Sequence, residues 1–427
     1  MPTQVERLWN PTDTSGLSRA DRTPGRYLAY IPDELGVDLP ALSEYASEAA
    51  EDALSALVRA DERIGGRGNY LNHLLIRSES ISSSWIEGNR VTPKKLAIAE
   101  TLKRGDAVAL AVLANVHATE SAVNHLAGVE RPITVGDIED LQHTIAPDLA
   151  YGLRREQNWV GGTGWSPLRA DFIPPPEDTV HRLTEDLAHF VSHTRGNPVA
   201  RAAIAHAQFE TIHPFVDGNG RTGRALIHTV LKRAGALQHT LIPISTVFAG
   251  NPNSYIAGLN AYRASPSRLD EWIVSFSEAC VRAADAAVLL VEECHSLDEE
   301  LRQQLVSYRT TQGLVPAKPR AGSVLTSILT DLSDTPVLTV SGVSDRYRVS
   351  TTAAQRALTE LVDCAILTRI KDQKGRASCY TSDRHLGLVA LTERSNRVGG
   401  DDTAVRSSKL APPAPDADHV GILRPRS

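Results

Sequence analysis

The sequence predicts a mainly α-helical protein with one short β-hairpin stretch in its middle and a small α+β module near its C-terminus. Three observations predict this. Stretches such as ALSEYASEAAEDALSALVRADERI repeat apolar residues at three- and four-residue spacing among Ala, Glu, Leu and Arg, the pattern of a helix that buries one face. Tyr151 to Pro176, YGLRREQNWVGGTGWSPLRADFIPPP, is rich in Gly, Trp and Pro and suits a hairpin or ordered loop closed by the proline run. Residues 322–382 alternate helical and strand-like runs around turn residues.

Taken in order, residues 1–25 are polar and without helical period, and are expected to be flexible. Residues 26–126 form an N-terminal helical region, with helical period from Leu39 to Leu102 and again from Ala107 to Leu126. Residues 127–285 form a central core. Its helical pattern resumes at Glu177-Asp178, where carboxylates favour a helix start, and runs on through PVARAAIAHAQFETI and ALIHTVLKRAGAL. Leu269 to Arg309 reads as one or two long helices with both charge signs on exposed faces, so that residues 286–320 form a linker helix ending near Pro316. Residues 321–390 give helix, Pro-Val-Leu-Thr strand, short helix, helix, strand, turn at Gly375 and strand. The tail 391–427, with APPAPDAD, has a disordered composition.

Composition narrows the function. A chain of 427 residues with 41% apolar content can bury cores for two or three domains. A net charge of −6 excludes a protein coated in nucleic acid and leaves room for a local basic patch. Cys280, Cys294, Cys364 and Cys379 lack CxxC spacing and read as reduced, packed thiols, not as a disulfide framework or zinc cage. MPTQVERLWNPTD lacks the basic-then-apolar pattern of a secretory signal, and no 18-residue apolar run occurs. The expectation is a soluble cytoplasmic protein without a membrane partner.

The stretch HPFVDGNGRTGR, His213 to Arg224, carries the chemistry. Gly218-x-Gly220-x-x-Gly223 spells a dinucleotide fingerprint, but the preceding Ala202 to Thr211 is helical in period and no acid lies between Asp217 and Asp270 to hold a ribose. A Walker A loop is absent. What survives is an anion site, in which glycines followed by a helix present backbone N–H groups and positive potential. Arg221 and Arg224, three apart on the first helical turn, can both reach phosphate oxygens. Asn219 can cap the helix or orient a phosphate. Asp217 suits Mg2+, which binds through one or two carboxylates plus substrate phosphates. His213 is the one group able to take a proton near neutral pH. A nucleoside triphosphate, a metal and a base for an incoming hydroxyl describe phosphoryl or nucleotidyl transfer. A zinc site of His206, His213 and Asp217 matches no usual ligand spacing.

The same stretch resembles the signature of the Fic family, H-x-F-x-[DE]-G-N-G-R-x-x-R, at every fixed position, and the resemblance spans roughly residues 30–285. It implies a Fic-type helical bundle and transfer of AMP from ATP to a hydroxyl side chain (Ser, Thr or Tyr) of a target protein. On that resemblance His213 is the general base, Phe215 anchors the loop, and Asp217 holds Mg2+ between the α- and β-phosphates. Gly218, Asn219 and Gly220 form the anion hole, Arg221 meets the β-phosphate, and Arg224 the γ-phosphate. Gly220 separates the chain from the phosphorylating Doc branch, which has a lysine in that region. The Gly/Trp/Pro stretch resembles the family's flap, a hairpin that adds a strand to a bound target segment. Val160, Gly161 and Gly162 would form its first strand and Ile173 its return. NPNSYIAGLNAYR resembles the adenine-side helix, with Tyr255 a nucleotide contact. Ile256 departs from the second tyrosine many members carry.

Two further segments add control and docking. In SSSWIEGNR, Gly88-Asn89 is a natural helix stop, and Glu87 before it faces the negative end of the helix. Ser83-x-x-x-Glu87-Gly88 resembles the family's inhibitory motif, whose glutamate pairs with the second signature arginine, here Arg224, and keeps the γ-phosphate from its productive pose. Weak automodification is then expected. Residues 322–382 read as a winged helix-turn-helix, with STTAAQRALTELVDCAIL as recognition helix and ILTRIKDQKGRASCYT as wing. Between Val340 and Tyr380 stand seven Lys/Arg against four acids, a modest basic excess. DNA contact through Arg356 and the wing, protein docking, and a homodimer all remain open. Two rival functions stand beside AMP transfer: a DNA-binding regulator whose Fic core senses nucleotide, and an enzyme that removes AMP, with Glu87 positioning water.

Overall fold

The chain opens on an antiparallel hairpin where the sequence suggested a loose segment. β1 (Thr3–Trp9) pairs with β2 (Gly25–Ile31), from Thr3 opposite Ile31 to Trp9 opposite Gly25. One face of β1, Gln4, Glu6 and Leu8, is exposed, so its polar composition hides the strand. The other face is half-buried: Trp9 meets Trp159 edge-on at 5.4 Å, and Arg7 pairs with Asp178. The computed structural model describes residues 2–11, 18–19, 21–65, 72–128, 130–162, 166–371 and 377–395.

Helices make up most of the chain beyond this hairpin. α1 (Glu44–Gly65) buries Ala46, Ala50, Ala53, Ala56, Leu57, Ala60 and Ile64, a stripe of mostly small side chains that lets it lie close along a later helix. α2 (Asn72–Ile86) is followed by α3 (Pro93–Leu102), α4 (Ala107–Asn124) and α5 (Val135–Ile145). Thr92, Asp106 and Thr134 cap the last three through side-chain oxygens, and Asp137 completes a capping box with Thr134. α6 (Glu177–His193), α7 (Pro198–Ile212), α8 (Asn219–Arg233), α9 (Ser245–Gly250) and α10 (Pro252–Arg263) complete the bundle. α7 is buried on every side from Val199 to Ile212, except near its start. It forms the axis of a core that includes Phe190, Phe209, Phe215, Trp272 and Phe276.

α11 (Leu269–Thr311) is one unbroken helix of 43 residues. Its first half packs on α1 in the main core, and Leu297, Leu301 and Leu305 enter a second core. A boundary at residue 285 therefore falls within a continuous helix. The second core gathers α12 (Val324–Asp331), α13 (Val340–Tyr347) and α14 (Thr351–Asp363). Beside it, β3 (Val337–Leu338), β4 (Thr368–Lys371) and β5 (Ala377–Thr381) form an antiparallel sheet ordered β3-β5-β4. α15 (Asp383–Ser395) returns to α11, so helix covers the start of the segment expected to be a tail. The wing turn at Gly375, with Lys374 and Arg376, and residues 396–427 lie outside the described residues.

Asp298 of α11 accepts from Ser333 at 3.1 Å and lies 2.9 Å from Nε2 of His385, whose Nδ1 is 2.7 Å from Ser382. In a cleft this Ser-His-Asp order would suggest nucleophilic catalysis. Here Ser382 and His385 have no solvent exposure, so the network ties α15 to α11. All four cysteines are free and buried, and among the described residues no helix is long and apolar enough to cross a membrane.

Candidate active site

The site is built where α7 ends. His213 caps the helix in the left-handed region, at φ 49°, with its N–H on the Phe209 carbonyl at 2.9 Å. This conformation is uncommon for a side-chain-bearing residue and turns the chain abruptly out of the helix. Phe215, two residues on, is buried beside Phe209 and anchors the loop. Asn219 fixes it from the far side: its Oδ1 accepts from the Phe215 N–H at 2.9 Å and its Nδ2 donates to the Phe215 carbonyl at 2.8 Å. The Asn219 side chain is thereby committed to the loop, and only its backbone N–H is left for an anion.

The carbonyls on the other side are held by the Gly/Trp/Pro stretch. Buried Arg154 donates to the carbonyls of His213 at 2.9 Å, Pro175 at 2.5 Å and Ile212 at 3.3 Å. Asn158 donates to the carbonyls of Phe215 at 3.0 Å and His213 at 3.2 Å. With its oxygens satisfied from behind, the loop is stiff. Sequence reading missed both residues, because nothing in a single sequence distinguishes a buried arginine in a loop from a solvated one.

α8 starts at Asn219 behind Gly218, which sits at φ 81° and offers no side-chain cap. The first N–H groups of α8 therefore have no acceptor within the helix, and the positive end of its dipole points the same way. Arg221 is buried, and its Nε has no partner among the described residues. Asp217 is 40% exposed at the mouth; one carboxylate oxygen takes the Gly218 N–H at 2.5 Å and the other lies 3.7 Å from Arg221. No group of three or more His, Cys, Asp or Glu able to hold a metal occurs among the described residues. A cation here would complete its shell from phosphates and water, which suits Mg2+ and not zinc.

His213 is 20% exposed, and its Nδ1 lies 3.9 Å from a carboxylate oxygen of Glu210. Burial, then the cations Arg154 and Arg263, depress its pKa from the ordinary value, with the Glu210 carbonyl opposing them. The ring is therefore neutral at pH 7 and able to accept a proton. His206, two turns earlier, faces away: its Nε2 meets the Tyr255 hydroxyl at 2.8 Å. It does not join His213 and Asp217.

Above the cradle sits Glu87. α2 stops in a Schellman arrangement, with the Asn89 N–H on the Ser84 carbonyl at 2.9 Å and Gly88 at φ 86°. Glu87 is thus the cap just past the helix, and its carboxylate accepts from Arg224 Nη2 at 2.7 Å. Arg224 also donates to the Ser83 hydroxyl at 2.9 Å and the Ser83 carbonyl at 2.8 Å. Burial works most strongly against the Arg224 charge, but Glu87, Tyr255 and Glu210 together outweigh it and the pKa moves up. A Cβ added at Gly220 would overlap the Glu87 carboxylate and stand 2.9 Å from Arg224. The carboxylate therefore rests on the helix start itself.

Other expected positions differ. Val160 pairs with Phe172, its N–H on the Phe172 carbonyl at 2.8 Å, but Gly161 and Gly162 are not strand. Both are left-handed, at φ 81° and 72°, and a Cβ would strike Asp171 or the Arg169 backbone, so they begin the turn. Ile173 does lie on the return, and its carbonyl takes the Tyr30 N–H at 3.0 Å, joining the hairpin to β2. Residues 163–165 lie outside the described residues. Tyr255 is in the core, 4.6 Å from Phe248 ring to ring, beneath Arg224 and not on an open surface.

Exposed N–H groups at a helix start, two buried arginines, a half-open carboxylate and a neutral histidine could together hold a phosphate-bearing ligand. Comparison with known proteins agrees: residues 132–231 match the Fic/DOC family, a stretch containing α5 to most of α8. The chain is 30% identical over 237 residues to Protein adenylyltransferase Fic of Drosophila mojavensis, covering 53% of this chain and 43% of that protein. It is 30% identical over 197 residues to the protein of the same name from Drosophila grimshawi, covering 43% and 38%. The chain thus spans less than half the length of these relatives. A Fic family protein from Desulfovibrio desulfuricans superposes with a TM-score of 0.46 at 19% identity, over 81% of this chain and 98% of that one.

Proposed function

We propose that the chain is a protein adenylyltransferase held in an inhibited state by its own α2. In the reaction a target hydroxyl attacks the α-phosphorus of ATP, a new P–O bond forms, the bond to pyrophosphate breaks, and pyrophosphate leaves. His213 takes the hydroxyl proton, which a poor nucleophile needs as bonding begins. The N–H groups at the start of α8, with Arg221 and Arg224, neutralise the phosphate chain. Asp217 would hold Mg2+, which supplies charge neutralisation on the phosphates when bound. The Val160 hairpin would present an edge to the target segment or, in automodification, to the protein's own chain.

The observation that carries the reading is the Glu87 carboxylate lodged on Arg224 directly over Gly220. A carboxylate bound there marks an anion site, and its position blocks a terminal phosphate from the same arginine. The α13–α14 pair beside β4 and β5 supports a winged-helix reading of the C-terminal module. Arg346 is taken up by Asp331 and Asp334, which among the described basic residues of this module leaves Arg348, Arg356, Lys371 and Arg369, the last over the Tyr380 ring, to meet a polyanion such as DNA.

The test uses ATP labelled on the α-phosphate with Mg2+ and compares wild type, Glu87→Gly and Glu87→Gly/His213→Ala for label retained on protein. Strong labelling in the single variant, absent from the double, is expected. No labelling in any of the three, with nucleotide still bound, would move the weight to a nucleotide-sensing regulator. Release of AMP from a pre-modified protein by wild type, faster than by the Glu87 variant, would favour the reverse reaction.

A further inference from the structure

One buried carboxylate in the site has no place in the reaction of His213 with a hydroxyl and ATP. Glu210 lies one turn before His213 on α7, and its Oε1 has no hydrogen-bond partner among the described residues. His213 Nδ1 is likewise buried with no partner at hydrogen-bond distance, and the Glu210 carbonyl reaches the ring only weakly. The two groups face each other, 3.9 Å from Nδ1 to Oε2. Room for the carboxylate is made by Gly223, where a Cβ would stand 2.6 Å from Oε1. Buried polar atoms without partners are rare and call for a physical reason.

We propose that Glu210 is the positioning residue of the base: its carboxylate orients the His213 ring and stabilises the imidazolium that forms when Nε2 accepts the target hydroxyl's proton. This rests on the adenylyltransferase reading. With Nδ1–H directed at Glu210, the lone pair is left on Nε2, the other ring nitrogen. When the proton arrives, the ring becomes a cation among cations, since Arg154 and Arg263 already surround it. A carboxylate within 4 Å is what the new charge needs, and catalytic hydrogen bonds often shorten only in the reacting complex. The proton stays on the ring, and the carboxylate acts by its charge alone.

The setting of Glu210 suits such a role. It is faced by His206 and His213 on α7, Arg224 on α8, Tyr255 and Arg263 on α10, and Glu87 at the end of α2. Burial pushes its pKa up, Arg224 opposes this, Glu87 adds to it and Arg263 opposes it again, and the result is about 7. Its ionisation therefore falls within the working range of the base.

The experiment compares Glu87→Gly with Glu87→Gly/Glu210→Gln and Glu87→Gly/Glu210→Asp, the double variants checked to melt with the single one. We expect Gln to lower kcat roughly ten- to hundredfold, within the span a general base contributes. KM for ATP should change far less than kcat, since Glu210 touches no phosphate itself and reaches them only through the charge of Arg224. One ionisation should vanish from the acid limb of the pH–rate profile, and Asp should restore part of the rate. Equal kcat and an unchanged profile in the Gln variant would overturn the proposal. If Glu87→Gly itself transfers no AMP, the adenylyltransferase reading has failed, and the His213 ring decides this point alone. Nitrogen NMR of labelled histidine above about pH 8, where Glu210 is ionised, should show the His213 proton on Nδ1 and a bare Nε2, and Glu210→Gln should shift that tautomer balance, whereas unmoved ring signals would refute the contact.

Discussion

Replacing Glu87 with alanine should destabilise the free protein and tighten its hold on ATP, both by about the same free energy. Arg224 is 1% exposed, and it donates three hydrogen bonds, one of them to a carboxylate at 2.7 Å. Alanine removes the charge-assisted bond and leaves a buried guanidinium on Ser83 alone. A hydrogen bond to a charged group contributes about 1.5–3 kcal/mol. Glu87 is 29% exposed and regains little solvation on removal, so a loss of about 2 kcal/mol is expected. Alanine is preferable to glycine here because it leaves the freedom of the unfolded chain nearly unchanged.

The same figure sets the nucleotide effect. On the proposed function a terminal phosphate has to displace Glu87 before it can use Arg224, and about 2 kcal/mol is about thirtyfold in affinity. Thermal melts of both proteins with and without MgATP would show it, with calorimetric titration to give Kd. The variant should melt several degrees lower alone and recover all of that in ATP at a hundred times its Kd, where binding adds about 2.7 kcal/mol. Wild type at that ATP concentration should gain far less. A variant as stable as wild type, or one that binds ATP no better, would refute the idea that Glu87 and phosphate compete for one guanidinium.

Two other expectations come from the elements around the site. Asn219→Ala strips the Phe215 N–H of its partner, while the Phe215 carbonyl keeps Asn158 at 3.0 Å. One buried orphan costs about 1–3 kcal/mol, so urea unfolding should show that loss, and an effect below about 0.5 would mean the loop is held elsewhere. His73, at the start of α2, lies 2.7 Å from Glu100 and 2.8 Å from Glu120, and these carboxylates outweigh burial and raise its pKa to about 9. A raised pKa gives stability that is full below about 6.5 and lost as pH climbs through 9. Relative to His73→Gln, wild type should lose about 2–3 kcal/mol between pH 6 and 10, and parallel curves would remove the histidine from the account.

How much of the site was legible in the sequence depended on whether the signal was local. His213, Asp217, Gly218 and Arg224 lie within twelve residues, and their types are chemically demanding, so their joint role could be argued from spacing. Glu87 lies 137 positions before Arg224, and only the short motif around it pointed to the pair found here. Arg154 and Glu210 left no trace, because their roles depend on which backbone and which ring the fold brings beside them. β1 was hidden for another reason. A two-stranded ribbon buries half of each strand, and Gln4, Glu6 and Leu8 on the open face mask the alternation of Val5, Arg7 and Trp9. Gly161 and Gly162 read as strand by adjacency to Val160, yet their left-handed backbone is the turn.

Under the proposed function the lock and the ligand site share one residue, and this decides which changes would release activity. On the adenylyltransferase reading Arg224 must hold a phosphate for catalysis and Glu87 for inhibition, so substituting Arg224 removes both at once. Substituting Glu87 removes only inhibition. Ser83 stands between the two cases. Its hydroxyl takes the Arg224 Nε proton, while its carbonyl takes one from Nη2 and survives any side-chain change. Ser83→Ala should therefore leave Arg224 in place, loosen it by about 1 kcal/mol, and produce labelling between wild type and the Glu87 variant. Label in Ser83→Ala as strong as in Glu87→Gly would mean that the serine, and not the carboxylate, holds the arginine closed.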